Sequence, residues 1–165
     1  MHPEINAHVA NIETFENSEQ YDVIVMSEVL EHVTNTKASL DTVFRHLKPS
    51  GIFILTTPNR FSTVEIVARL LKIPLFIYIA QKIYREPVDN LGHISLRTRK
   101  ELLAELKHTG FKLISRDDLA FYLPVIAEFG GEFGKNTLQF IERKLWRIDL
   151  LKNMLWTQCY VLTKN

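Results

Sequence analysis

Residues Tyr21 to Asn59 read YDVIVMSEVLEHVTNTKASLDTVFRHLKPSGIFILTTPN. The apolar run Val23 to Met26 is too short for a helix and too continuous for a half-exposed strand, so it predicts a parallel-sheet strand covered on both faces. Ser27, Glu28, Glu31 and His32 follow at or just beyond its carboxyl end, the edge where open α/β sheets bind ligands. Leu40, Val43, Phe44 and Leu47 recur at helical spacing and give one apolar stripe to a helix over Lys37 to Leu47, which Pro49 and Gly51 bring to an end. Ile52 to Thr56 is then a second buried strand.

Outward from this core, the pattern predicts a strand over Ala7 to Ile12 and an apolar helical insertion over Thr63 to Tyr84. A helix over Arg99 to Thr109, a strand over Phe111 to Arg116 and a last strand over Thr157 to Thr163 follow. Thr98 with Glu101 forms a capping box, and Gly110 suits the left-handed residue just past a helix end. The alternation of strand and helix is an α/β pattern. Gly130, Gly131 and Gly134 read as a flexible turn before an amphipathic helix in Thr137 to Trp156. That helix and the apolar insertion suit either packing on each other or on a second subunit, which apolar stripes favour, or peripheral contact with a membrane or cover for an apolar substrate.

The chain has 165 residues, 46% hydrophobic, enough for one core, and the length favours a single domain over 1–165 with insertions at about 61–91 and 117–156. A net charge of +1 argues against DNA or another polyanion held by bulk charge. Cys159 is the only cysteine, which excludes an intrachain disulfide and a cysteine-based zinc site and agrees with a cytoplasmic setting. No run of about 18 uncharged apolar residues spans a bilayer.

The chemistry gathers in Glu28-Val29-Leu30-Glu31-His32. If the segment curls into a helical turn, Glu28 projects on the same side as Glu31 or His32. Oxygen and imidazole ligands so placed suit Mg²⁺ or another divalent ion. His32 and His93 are also candidate general bases, since histidine titrates near neutral pH. A turn-capping role for the glutamates is the competing reading.

The E-V-L-E-H sequence after one strand and L-K-P-S-G before the next resemble the second half of a class I S-adenosylmethionine-dependent methyltransferase. The resemblance resumes at Gly92 to Ser115, with its G-H, its T-x-x-E-L helix start and its G-F before a strand. It implies a Rossmann-like sheet, incomplete at the N-terminal side, with an antiparallel last strand and helical insertions. It also implies S-adenosylmethionine as cofactor, with Asn11 and Ile12 at the adenine and Ser27, Glu28 and Val29 on the pocket floor. Asn11 stands where the family usually has aspartate. The family's glycine-rich loop and ribose-binding acidic residue have no counterpart in Met1 to Gln20, as in a truncated or split product or one whose missing half another chain supplies, so cofactor binding is expected to be weak or absent.

The E-x-x-E-H element further resembles the metal motif of small-RNA 3′-terminal 2′-O-methyltransferases and of polyprenyl-catechol O-methyltransferases. That comparison implies a metal set of Glu28, Glu31, His32 and His93. Members acting on planar amines often carry N-P-P-Y where this chain has Ser27-Glu28-Val29-Leu30, so methylation of a hydroxyl is expected over methylation of a planar amine. A hydrophobic small molecule, lipid-linked precursor or sugar is the expected acceptor. RNA ribose methylation and a non-catalytic half-domain or partner subunit are the alternatives.

Overall fold

A computed structural model describes residues 6–70, 93–119, 126, 130–145, 147–148, 152 and 155–164. Strand β1 is Tyr21–Ser27, followed by a 3₁₀ turn at Leu30–His32, helix α1 over Thr36–His46 and strand β2 over Leu47–Pro58. Helix α2 covers Thr63–Leu70, α3 Arg99–Thr109, strand β3 Phe111–Leu119, helix α4 Gly131–Leu145 and strand β4 Thr157–Lys164. The four strands lie in the order β1-β2-β4-β3. β1 and β2 run parallel, with Ile24 beside Phe53 and Met26 beside Leu55. β4 enters antiparallel to both neighbours, setting Tyr160 beside Leu55 and Leu162 beside Leu113.

One face of this sheet carries the core. Met26, Phe53, Leu55, Tyr160 and Leu162 meet Leu40 and Val43 of α1 and Leu102 and Leu106 of α3 in a single buried cluster. The opposite face corrects the expectation that Val23 to Met26 is covered on both sides: Val23 is 54% and Val25 61% exposed. The helices whose apolar residues join the core lie on the Met26 side, and on the other side Val23 and Val25 of β1 stay open to solvent.

Local signals act as their chemistry demands. Asn35 caps α1 by accepting from Ala38 N at 3.0 Å. At α3 both halves of the capping box are made, Thr98 Oγ1 accepting from Glu101 N and Glu101 accepting from Thr98 N at 2.8 Å, and Gly110 closes the helix at φ 109°. A Cβ there would also press on the Phe44 ring at 3.1 Å. Thr98→Ala removes one orphan donor's partner and one box member, so a loss of about 1 kcal/mol in urea unfolding is expected.

Three boundaries differ from the sequence reading. Ala7 to Ile12 is not a strand: residues 7–11 have no regular structure, Val9 is fully exposed, and Asn11 opens a turn by accepting from Glu13 N at 2.9 Å. β3 runs on to Leu119, so the excursion expected from 117 starts later. Gly131 and Gly134 lie inside α4 rather than in a turn before it, because the helix passes close to Ile126, whose carbonyl oxygen would stand 2.5 Å from a Cβ on Gly134. The helix also ends at Leu145, so the apolar spacing through Leu155 serves a small cluster of Leu138, Ile141, Leu145 and Leu155 instead of one long stripe. Of the apolar insertion, Thr63–Leu70 is helical as read, and 71–84 lies outside the described residues. No helix among the described residues is long and apolar enough to cross a membrane.

Candidate active site

The carboxyl ends of β1 and β2 are locked together before any side chain of the site is placed. Glu28 N donates to Thr56 O at 3.0 Å, and the Ser27 and Thr56 hydroxyls share a hydrogen bond of 2.9 Å. Glu28 itself adopts φ 52°, a left-handed conformation that costs a non-glycine residue about 1 to 2 kcal/mol. It breaks the strand direction so that Leu30–His32 can wind into the 3₁₀ turn.

That turn buries Glu31 completely, at 0% exposure, and leaves His32 half exposed. Thr57 Oγ1 donates to Glu31 Oε2 at 3.0 Å. Glu31 Oε1 has no hydrogen bond, and His32 Nε2 stands 3.7 Å from it. The segment carrying His93 is pinned on the same turn, since Ile94 N and Ser95 N both donate to Glu31 O at 2.9 Å and Ser95 Oγ donates to Val33 O. Arg97 holds the far side, reaching Glu105 at 2.7 Å and Thr36 Oγ1 at 3.0 Å. The His93 ring thereby stands edge-on to His32, centroids 5.1 Å apart.

Of the four residues expected to share an ion, Glu31, His32 and His93 each present one ligand atom within 4.8 Å of the others. Glu28 does not belong to that group. It precedes the helical turn, so the three-residue spacing that would align it with Glu31 does not apply. It remains beside the trio: partial desolvation raises its pKa, Thr56 opposes this, the Glu31 charge adds to it, and His93 and His32 counter it. The exposed Val29 follows it.

Asn11 and Ile12 sit in the turn before β1, Asn11 exposed and Ile12 packed on the core. Glu13 ties that turn to the loop after His32 by accepting from Thr34 N at 2.7 Å and Thr34 Oγ1 at 2.8 Å, which holds its carboxyl below the usual range.

Two further residues of the site escape a reading of motifs. Thr57 lies at the end of β2, and its hydroxyl fixes the buried carboxylate. Glu65 looks like the last member of an S-x-x-E capping box begun by Ser62, and Glu65 N does donate to Ser62 Oγ at 3.3 Å. Its carboxylate instead meets His93 Nδ1 at 2.7 Å.

The fold, with its parallel β1 and β2, antiparallel β4 and polar cluster at the strand ends, defines a Rossmann-like class I methyltransferase architecture. The family profile described as methyltransferase domain matches residues 1–116, and the chain belongs to that family. The ubiquinone biosynthesis O-methyltransferase of Rickettsia prowazekii is 45% identical over 56 residues, which are 34% of this chain and 22% of that protein. Its counterpart in Rickettsia canadensis is 36% identical over 63 residues, 38% of this chain and 27% of that one. The chain thus matches about a quarter of the length of these curated relatives. Among solved structures, an S-adenosylmethionine-dependent methyltransferase of Thermotoga maritima superposes with TM-score 0.58 at 14% identity, covering 94% of this chain and 62% of that one. One from Mesorhizobium loti gives 0.54 at 13%, covering 94% and 67%. These two likenesses show the shared fold.

Proposed function

We propose that this chain forms the acceptor-side half of an S-adenosylmethionine-dependent methyltransferase that methylates a hydroxyl on a hydrophobic small molecule, with a divalent ion held by Glu31, His32 and His93. The observation that carries the reading is Glu31 Oε1, a fully buried carboxylate oxygen without a hydrogen bond, beside two imidazoles. Burying such an oxygen is unfavourable unless something pairs with it, and one carboxylate with two imidazoles is a donor set that Mn²⁺, Mg²⁺ or Zn²⁺ accepts. When bound, such an ion lowers the pKa of a coordinated hydroxyl and orients it.

The protein's own groups divide the remaining work. Thr57 holds the Glu31 carboxylate, and the Glu31 carbonyl holds the His93 segment. Ser27, Glu28 and Val29 form the floor beneath the donor's adenine and methionine, and Asn11 and Ile12 flank the adenine. The names of the Rickettsia relatives favour an oxygen acceptor.

The test is transfer of labelled methyl from millimolar S-adenosylmethionine to a polyprenyl catechol, beside a short RNA with a free 3′ end, with and without chelator. Label in the catechol, lost on chelation and restored by Mn²⁺, is expected. Label in RNA alone would move the reading to ribose methylation, and label in neither acceptor would leave a non-catalytic half-domain.

The open side of β1 bears on partners. Among the described residues β1 pairs only with β2, and Tyr21, Val23 and Val25 are exposed along it. An apolar edge strand of this kind templates pairing with another chain, and we propose a second polypeptide or copy there. Sedimentation should show association that Val25→Lys abolishes; a wild-type monomer at every concentration would contradict it.

A further inference from the structure

We propose that Glu65 is a positioning residue for His93: it fixes the imidazole as the Nδ1–H tautomer, so that Nε2 is the nitrogen available to a divalent ion. The inference rests on the ion-binding reading above and assigns a role to a residue outside the E-x-x-E-H motif. Glu65 is 3% exposed, and its Oε1 lies 2.7 Å from His93 Nδ1. A carboxylate accepting from one ring nitrogen sets the tautomer and orientation of the ring and makes the other nitrogen a better ligand.

The local structure shows why this carboxylate is free to do so. In a capping box Glu65 would turn back to Ser62 N, but Ser62 N already donates to Asn59 O at 2.9 Å. Ser62 Oγ still caps the helix through Glu65 N. Both backbone donors of the box, Ser62 N and Glu65 N, are therefore satisfied without the Glu65 side chain, which projects to a ring 28 positions along the chain. Asn59 and Arg97 form a bridge between the two segments, so the ends that carry Glu65 and His93 are held in register.

Mn²⁺ titration of the full chain, followed by electron paramagnetic resonance, tests this together with ¹⁵N spectra of the histidine rings. Glu31→Ala and His93→Ala serve as controls for the ion site itself. Glu65→Gln is expected to weaken Mn²⁺ binding about 10- to 100-fold and to move His93 away from a pure Nδ1–H tautomer. Glu65→Asp, which keeps the charge, should recover part of the affinity.

If the controls abolish binding while Glu65→Gln changes neither affinity nor tautomer, the positioning role is overturned and the ion site stands. If the wild-type chain binds no Mn²⁺, the ion site falls and this role falls with it. Should Glu65→Gln fail to fold, Glu65→Asp and the wild-type tautomer decide: an unchanged affinity with a wild-type Nε2–H ring rejects the proposal.

Discussion

Glu31→Gln is expected to make the metal-free chain more stable by about 1 to 2 kcal/mol while weakening Mn²⁺ binding at least about 100-fold. The first number follows from the unpaired Oε1, since leaving a buried polar atom unsatisfied costs about 1 to 3 kcal/mol and more when the group is charged. Glutamine keeps an acceptor for Thr57 Oγ1, which now bonds Oε2 at 3.0 Å, and turns an amide toward His32 Nε2, 3.7 Å from the present Oε1. The second number exceeds what losing an outer partner of a ligand costs, because the variant removes the only charged oxygen of the trio. Urea unfolding in chelator and Mn²⁺ titration measure the two. A residue retained for folding gives the reverse pattern, with stability lost and ion binding untouched.

Phe53→Ala is expected to cost about 3 to 5 kcal/mol, a large part of the 5 to 15 that holds a domain together. Phe53 is fully buried on β2, and its ring lies 5.1 Å from Phe111, which meets Phe44 edge-on at the same distance. Removing it opens a cavity where β2, β3 and α1 converge. Val25→Ser, on the open face of the neighbouring strand, should change the stability of the unassociated chain by less than about 0.5 kcal/mol. Midpoints that fall for Phe53→Ala and not for Val25→Ser, at equal denaturant slopes, would establish that the sheet has a single loaded face. Equal losses would mean that Val23 and Val25 are covered in solution.

Where local chemistry alone decides, the elements were legible. The caps at Thr98, Glu101 and Gly110, the stripe of α1 and the apolar runs of β1 and β2 stand in the structure close to where they were read. The antiparallel entry of β4 followed from the family resemblance and not from its own residues, whose alternation fits either direction. Ala7 to Ile12 failed as a strand because β-propensity needs a neighbour to pair with, which no window of sequence displays. The glycines near 130 misled because glycine serves both turns and close approach, and only the carbonyl of Ile126 distinguishes them. In the site, Glu31 and His32 were legible because adjacency brings them together. Glu28 was misassigned by assuming that the helical turn begins one residue after the strand. Glu65 lies outside every motif read in the sequence, and only its contact with His93, 28 positions along, brings it into the site.

The place of β4 carries a consequence for how the sheet closes. Among the described residues β3 finds its hydrogen bonds only with β4, and β2 fills its second edge with β4. The strand that joins the two sides of the sheet is thus the described strand furthest along the sequence from β1. The closing step brings together segments far apart in the chain, the kind of pairing that folds slowly. Disrupting Thr157–Lys164 should therefore release β2 and β3 from each other in one cooperative event instead of fraying the sheet from an edge.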